Sequence, residues 1–185
     1  MELLDIVNED GIPTGEIIER SIAHEQGIRH RTSHVWLLRK RNEKIQVLLQ
    51  KRSADKDSYP ECYDISSAGH IPSGVDFVPS ALRELKEELG ITANEGELIY
   101  CGQRSFHYEN VFHGKPFVDE QVSNVYVLWR DVEPSELNLQ AEEVEEVIWM
   151  DFDYCIEGVK NNCFPNCIRM EELEMLIGVV KENSL

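Results

Sequence analysis

Short apolar runs separated by turn-forming residues dominate the first half of the chain. The runs at 35–38 and 45–49 flank a charged turn around Asn42, which predicts two strands. Residues 3–7 alternate weakly between apolar and polar, and the turn that follows leads through Gly15 into a second short run. This pattern predicts an N-terminal hairpin. Further strand-like runs lie at 98–101, 122–128 and 147–150.

The pattern changes to a helical period between residues 77 and 89. Apolar side chains recur there at 78, 82, 85 and 89, Pro79 suits a first turn, and Gly90 suits the residue after the last turn. A second helix is predicted at about 170–180, whereas 68–74, with two glycines and a proline, is expected to be irregular. Strands surrounding few helices indicate an α+β fold, and no repeat or linker divides residues 1–185, so we expect a single domain.

The charge balance limits the classes of partner. The chain has 18 basic and 35 acidic residues, a formal net charge of −17. Such a charge repels nucleic-acid backbones and anionic membrane surfaces, so we expect neither as a partner. A small anionic substrate stays compatible with this charge, because divalent cations held by clustered carboxylates reverse the sign of the local field.

The cysteines and the N-terminus bear on the compartment. The five cysteines form an odd set without a paired Cys-x-x-Cys pattern, which argues against a disulfide framework and against structural zinc. The first residues lack the succession of a signal peptide, and no apolar stretch is long enough to cross a bilayer. We therefore expect a cytoplasmic protein. The sequence does not determine the oligomeric state, and a homodimer stays open.

Three carboxylates stand together on the predicted helix at 77–89. Glu84, Glu87 and Glu88 occupy positions i, i+3 and i+4, within an arc of about 100°. Like charges at this spacing destabilise an isolated helix, and a hard divalent cation would compensate them. Considered alone, the spacing also fits a solvated helix face. The glycine-containing segment just before the helix favours the metal site, because the backbone carbonyl of Gly69 can approach the same ion.

The segment 69–91 resembles the Nudix box, Gly-x5-Glu-x7-Arg-Glu-hydrophobic-x-Glu-Glu-x-Gly-hydrophobic. Gly69 begins the match, which continues at the family's spacing with Arg83, Glu84, Leu85, Glu87, Glu88, Gly90 and Ile91. Val75 departs from it, since the family has a glutamate there that mainly helps to hold the box together. Neighbouring Asp76 is a partial substitute. The resemblance implies an α/β/α sandwich with a mixed sheet between helices, preceded by an N-terminal hairpin extension at 1–30.

The resemblance also implies a chemistry, which is hydrolysis of a diphosphate by metal-activated water. Glu84, Glu87 and Glu88 would bind Mg2+ or Mn2+ together with the Gly69 carbonyl, and Arg83 would position the carboxylates. Family members often recruit a further glutamate from a later loop as ligand or base. Glu120, Glu142 and Glu143 are the candidates here, although each could equally be an ordinary surface acid.

Residues outside the box resemble the isopentenyl-diphosphate isomerase branch of the superfamily. In type I isomerases, histidines matching His24, His30 and His70 form a metal site with two acidic residues, which fall near Asp119 and Gln121 here. Gln121 lacks a carboxylate, and Ala68 stands where the isomerases have a cysteine that transfers protons. Hydrolysis is therefore the expected reaction. Isomerisation and non-catalytic nucleotide sensing stay as alternatives.

The sequence defines the residues that bind the substrate less clearly than it defines the metal site. Lys51, Arg52 and His70 are candidate substrate contacts, and for the three histidines together we favour a structural or substrate-binding role over a second metal site. Four aromatic side chains are candidates for stacking on a nucleobase: Tyr59, Phe106, Tyr108 and Phe117. A nucleoside diphosphate or a nucleotide conjugate is the expected class of substrate.

Overall fold

The computed structural model describes residues 2–56 and 58–182, so the outermost residues of the predicted domain lie outside the description. The described residues form nine strands: β1 (Leu3–Val7), β2 (Pro13–Glu19), β3 (His30–Arg41), β4 (Lys44–Arg52), β5 (Tyr63–Asp64), β6 (Ser67–His70), β7 (Leu98–Phe112), β8 (Lys115–Trp129) and β9 (Val144–Asp151). Four α-helices accompany them: α1 (Arg20–Gln26), α2 (Phe77–Leu89), α3 (Phe152–Lys160) and α4 (Met170–Glu182).

A mixed seven-stranded sheet forms the centre of the molecule. Its main path runs β5-β4-β3-β8-β7, while β6 pairs with β3 and β9 pairs with β4. The pairing of β3 with β8 is parallel and sets His30 beside Gln121, whereas the other pairings in this sheet are antiparallel. β1 and β2 form a separate two-stranded sheet, which confirms the predicted hairpin.

Two hydrophobic cores lie on opposite faces of this sheet. On one face, Val35 and Leu37 of β3 pack with Ala81, Leu85 and Leu89 of α2. On the other face, the core combines strand and helix side chains: Trp36, Leu38, Val47 and Leu49 from β3 and β4, Phe152 and Val159 from α3, and Leu173 and Leu176 from α4. Because successive side chains of a strand point to opposite faces, β3 supplies both cores. The expected α/β/α sandwich is confirmed.

Several elements differ from the sequence-based expectation. The strands predicted at 98–101 and 122–128 extend into the long hairpin of β7 and β8, and no strand was predicted for its outer half, although residues 105–109 alternate between polar and aromatic side chains. The segment 68–74 was expected to be irregular, and this was wrong at its start, since β6 pairs with residues 32–35 of β3. Backbone groups make those pairs, so the glycine there does not prevent them. Helices α1 and α3 were not predicted.

A buried acid joins α4 to the central strand. Glu172 is 2% exposed, and its carboxylate oxygens accept hydrogen bonds from His34 Nδ1 at 2.7 Å, Arg104 Nε at 2.8 Å and Trp36 Nε1 at 2.9 Å. Burial alone would raise the pKa of Glu172, but the charge and hydrogen bond of His34, the charge of Arg104 and the indole hydrogen bond lower it to about 2. Ionised Glu172 is therefore part of the folded structure at neutral pH.

We expect Glu172→Gln to destabilise the fold in a pH-dependent way. The folded-state pKa of about 2 lies below the ordinary value of 4.5, so the stabilisation is fully present above about pH 4.5 and is lost as the pH falls toward 2. The substitution should lower the free energy of unfolding at pH 7 by roughly 3 kcal/mol, measured by urea denaturation. The difference from the unmodified protein should shrink at pH 3. Glu171→Gln, on the exposed side of the same turn, is the control, and equal effects of the two substitutions would contradict the assignment.

Candidate active site and a histidine cluster

Helix α2 presents the three predicted glutamates in different environments. Asp76 caps the helix by accepting a hydrogen bond from the Phe77 N–H at 2.8 Å, and Gly90 ends it with a φ of 72°. Glu88 is buried at 5% exposure, and the side chain of Glu84 is 13% exposed. The side chain of Glu87 is 51% exposed. The helix therefore carries two enclosed carboxyl groups and one that is open to solvent.

The two enclosed carboxyl groups have perturbed acidities. Burial raises the pKa of Glu84 to about 7; Arg83 opposes this shift and the charge of Glu87 adds to it. Burial also raises the pKa of Glu88 to about 8, with a further contribution from the charge of Glu84. Carboxyl groups that are costly to ionise without a partner are suited to a divalent cation, which stabilises their charged forms.

Strand β6 lies directly against these glutamates. The N–H of Ala68 donates a hydrogen bond to Glu88 Oε2 at 3.2 Å. A Cβ on Gly69 would overlap the carboxyl group of Glu84, so any other residue here would require the Glu84 side chain to move. The backbone of β6 thus lies against two carboxyl groups, and Mg2+ and Mn2+ prefer backbone and carboxylate oxygens as ligands. The residues fit the metal that the box implies.

Arg83 connects the helix to the end of β6. Its Nη1 donates to Glu87 Oε2 at 2.9 Å, and its Nη2 donates to Glu84 Oε1 at 2.5 Å and to the carbonyl oxygen of His70 at 3.2 Å. Its Nε is buried without a hydrogen-bond partner among the described residues. Asp76, considered as a substitute for the missing box glutamate, instead caps α2, and its side chain is 80% exposed.

A cavity of about 1060 Å³ opens beside β6, and some of the predicted site residues line it. Arg52, His70, Glu142 and Glu143 line it together with Gly69, and Glu143 forms an ion pair there with Lys56. The box residues Arg83, Glu84, Glu87 and Glu88 do not line this cavity, and two further predicted residues are paired elsewhere among the described residues. Lys51 Nζ lies 3.0 Å from Glu145, and Glu120 binds Arg29 at 2.8 Å and His107 at 2.5 Å. Their predicted roles stay predictions that this geometry does not support.

Three histidines converge at one side of this cavity. Ligating atoms of His24, His30 and His70 all lie within 4.8 Å of one another, and the Nε2 atoms of His24 and His70 are 3.0 Å apart. Asp119 Oδ1 lies 3.8 Å from His24 Nδ1 and 3.7 Å from His30 Nε2. These three atoms are buried and have no hydrogen-bond partner among the described residues. Nitrogen and carboxylate donors that face each other unpartnered fit a divalent metal ion.

The protonation states support that assignment. Burial lowers the pKa of His24 to about 3, assisted by the charges of His30 and Arg20. Burial likewise lowers the pKa of His30 and of His70. The three imidazoles are therefore neutral at physiological pH, which is the form that binds metals. The structural or substrate-binding role favoured for these histidines stays a prediction, and the unpartnered nitrogens of His24 and His30 are also compatible with a second metal site.

Gln121, which replaces a carboxylate of the isomerases, has a defined structural role. Its Nε2 donates to Asp119 Oδ2 at 2.7 Å, and its Oε1 accepts from the Thr32 hydroxyl at 2.7 Å. Thr32 Oγ1 also lies 3.1 Å from His34 Nε2, so a chain of hydrogen bonds extends from Asp119 to Glu172. The amide thus fixes one oxygen of Asp119 and leaves the other toward the histidines.

Three cavity residues had no signal in the sequence. Arg104 and Arg169 both lie over the Phe106 ring, with their Cζ atoms 4.9 Å and 4.8 Å from its centroid. Cys167 also lines the cavity, and burial raises the pKa of its thiol well above its usual value. These residues come from β7 and from the segment before α4, so only the folded topology brings them to the site.

Comparison with known proteins agrees with this geometry. A model of the NUDIX domain matches residues 28–161. The chain belongs to the Nudix family. An uncharacterised Nudix hydrolase of Clostridium acetobutylicum is 35% identical over 152 residues, which are 82% of this chain and 71% of that protein. A crystal structure from Deinococcus radiodurans superposes with a TM-score of 0.66 at 18% identity, covering 94% of this chain and 97% of that one, which supports the fold alone.

Family membership makes this Nudix protein a hydrolase of phosphoric anhydride bonds. An isopentenyl-diphosphate Δ-isomerase of Escherichia coli O127:H6 is also similar, at 27% identity over 155 residues, 83% of this chain and 79% of that protein. None of the helices within residues 2–56 and 58–182 has the length and apolar character needed to cross a membrane.

The histidine cluster should bind one divalent transition-metal ion. Addition of Co2+ should give the visible absorption of a site with nitrogen ligands, and His30→Ala should weaken binding by more than the roughly tenfold effect of losing an outer-shell partner. Isothermal titration with Zn2+ and Co2+ measures both. His107→Ala is the matched control, because that side chain is 55% exposed and pairs with Glu109 and Glu120. Unchanged Co2+ spectra in the His30 variant would disprove the cluster as a metal site.

Proposed function

We propose that this Nudix protein hydrolyses the diphosphate linkage of a nucleoside diphosphate or a nucleotide conjugate in a reaction that depends on Mg2+ or Mn2+. The observation that supports this most is the contact between the carboxyl group of Glu84 and Gly69, beside the buried carboxyl of Glu88. That arrangement sets the backbone of β6 directly against a box carboxyl group, so both could bind one metal ion.

Each residue of the box has a role in this proposal. Glu84, Glu87, Glu88 and the Gly69 carbonyl would hold the ion, which would supply Lewis-acid activation of the diphosphate and of a water nucleophile. Arg83 holds the carboxylates of Glu84 and Glu87 and also binds the His70 carbonyl. Glu143, in the cavity beside Lys56, is the candidate for a further ligand or for the base that accepts the proton of water.

The charge of the cavity explains why cations are needed. Nine acidic residues and six basic residues contribute to its lining, so the protein alone presents an anionic diphosphate with net negative charge. Bound divalent ions reverse that local balance. Arg52 and His70 are the predicted substrate contacts that line this cavity, and Asp64 at 3.0 Å already partly neutralises Arg52.

The aromatic lining of the cavity suits a planar group. Tyr59, Phe106 and Phe117 line it, and the guanidinium of Arg169 lies over the rings of Phe106 and Tyr108 at 4.8 Å and 5.0 Å. Thr32, His34 and Gln121 also line the cavity, where they are hydrogen-bonded to one another and to Asp119 and Glu172. A nucleobase could stack on the aromatic rings of this lining.

Isopentenyl-diphosphate isomerisation is the second candidate, and the histidine cluster is the observation that favours it. The proton transfers of that reaction lack their usual groups here, because Ala68 has no ionisable side chain and Gln121 is an amide. Cys167 is the thiol of the cavity, and its raised pKa keeps it protonated, so it could donate a proton but not accept one. Hydrolysis uses groups that are all present.

A substrate panel distinguishes these candidates. Nucleoside diphosphates, nucleotide sugars and isopentenyl diphosphate are incubated with and without Mg2+, and phosphate, phosphomonoesters and any allylic isomer are followed in parallel. We expect Mg2+-dependent release of a phosphomonoester from a nucleotide and no allylic isomer. An allylic isomer without phosphate release would establish isomerisation, and tight nucleotide binding without turnover would establish a sensing module.

Replacement of the box carboxylates should abolish turnover without unfolding the protein. Glu87→Gln removes an exposed charge, and Glu88→Gln replaces a buried carboxyl whose pKa of about 8 makes an uncharged form compatible with the fold. Each should lower kcat by at least about a hundredfold, comparable to removal of one electrostatic group from an active site. Unaltered circular dichroism and thermal unfolding report the fold. Glu174→Gln, exposed on α4, is the control, and full activity of both box variants would overturn the metal assignment.

A further inference from the structure

The box lacks the acidic residue that would stabilise its connecting loop. Val75 lies in the loop 71–76 between β6 and α2, at the position where the family has glutamate. Arg83, the box arginine, keeps a buried Nε without a partner among the described residues. The loop nevertheless has to hold Gly69 and His70 in place on one side and the start of α2 on the other. Some other group in this chain must therefore stabilise it.

A buried ion pair from outside the box contacts this loop. Arg31 Nη2 donates to Asp5 Oδ2 and to the carbonyl oxygen of Val75, both at 2.9 Å. Asp5 also accepts hydrogen bonds from the Ser73 hydroxyl at 2.6 Å and from the Gly74 N–H at 3.0 Å. The side chains of Asp5 and Arg31 are 11% and 7% exposed. Three consecutive loop residues, 73–75, are thus bound by one ion pair.

The backbone reinforces the same contact. The N–H of Ser73 donates to the Leu3 carbonyl at 2.8 Å, and the N–H of Ile71 donates to the Arg31 carbonyl at 3.0 Å. The Arg31 guanidinium also lies 5.3 Å from the centroid of the Phe77 ring in the first turn of α2. The N-terminal hairpin and β3 therefore hold both ends of the loop, and the hairpin is joined to the site rather than appended to the domain.

We propose that Asp5 and Arg31 are positioning residues that hold the loop 71–76 in the place of the missing box glutamate, so that the N-terminal hairpin is required for cation binding by α2 and Gly69. This proposal rests on the proposed function for its metal site, but the bracing of the loop is measurable without any substrate. Buried charge-assisted hydrogen bonds of this kind are stronger than neutral ones and fix orientation as well as position.

Two measurements on the full chain test the proposal. Hydrogen exchange of the amides in 71–76 reports the loop, and titration with Mn2+ followed by electron paramagnetic resonance reports cation binding, with the box site defined as the binding that Glu87→Gln removes. Asp5→Ala and the milder Asp5→Asn should accelerate exchange at Gly74, and Asp5→Ala should weaken box binding of Mn2+ by about tenfold. Thr14→Val is the control, because it removes a hydrogen bond of the same hairpin that does not reach the loop.

Rescue separates positioning from general destabilisation. Val75→Glu restores the family's carboxylate, and in the Asp5→Ala protein it should return Mn2+ affinity to within about twofold of the unmodified chain while exchange at Gly74 stays fast. If both Asp5 variants keep the wild-type Mn2+ affinity and the wild-type amide exchange at Gly74, while Glu87→Gln still loses Mn2+ binding, then Asp5 does not position the loop. The proposed function would stand in that case. If exchange at Gly74 becomes faster in the Asp5 variants but Val75→Glu does not restore Mn2+ affinity, then Asp5 and Arg31 do not take the place of the missing box glutamate. If the unmodified chain binds no Mn2+ at the box, the proposed function and the positioning of that site both fail, and exchange would then describe a structural contact alone.

Discussion

The burial of strand β3 is the constraint on which the other features depend. Its first ten residues, 30–39, are all buried, and the first five of them are polar or charged. Buried polar groups need partners, so this half of the strand determines what must surround it. Even-numbered residues face the cavity, where His30 meets Asp119 and His34 meets Glu172. Odd-numbered residues face the box, where Arg31 binds Asp5 and Ser33 donates to the Phe77 carbonyl.

This division explains how one strand serves two sites with different chemistry. The period of two in a strand separates neighbouring side chains by the thickness of the sheet. The histidine cluster and the loop before α2 can therefore be built from adjacent residues without contact between their side chains. Further along β3 the same alternation supplies apolar residues to the two cores, and it does so with Val35 and Leu37 on one face and Trp36 and Leu38 on the other.

The sequence predicted the features that local pattern encodes. The helical period placed α2, its cap at Gly90 and its three glutamates, and the charged turn between β3 and β4 has positive φ angles at Asn42 and Glu43, as a tight hairpin requires. The long outer half of the β7–β8 hairpin was missed, because its alternation is confined to residues 105–109 and the rest of it depends on cross-strand pairing. Asp5, Arg104 and Glu172 gave no signal either, because each acquires its role from a partner at least 26 residues away.

Strand β6 is the point at which the two candidate metal centres meet. Gly69 lies against Glu84, and the next residue, His70, contributes its ring to the histidine cluster while its carbonyl accepts from Arg83. A displacement of this strand would alter both centres together, and the pairing of β6 with residues 32–35 of β3 opposes such a displacement. Gly69, His24 and His70 line the cavity, whereas the box glutamates do not, so β6 is the element that connects the cavity to the box. The acidic character that this chain shows throughout is consistent with that arrangement, because cations at two centres would supply the positive charge that its own side chains do not.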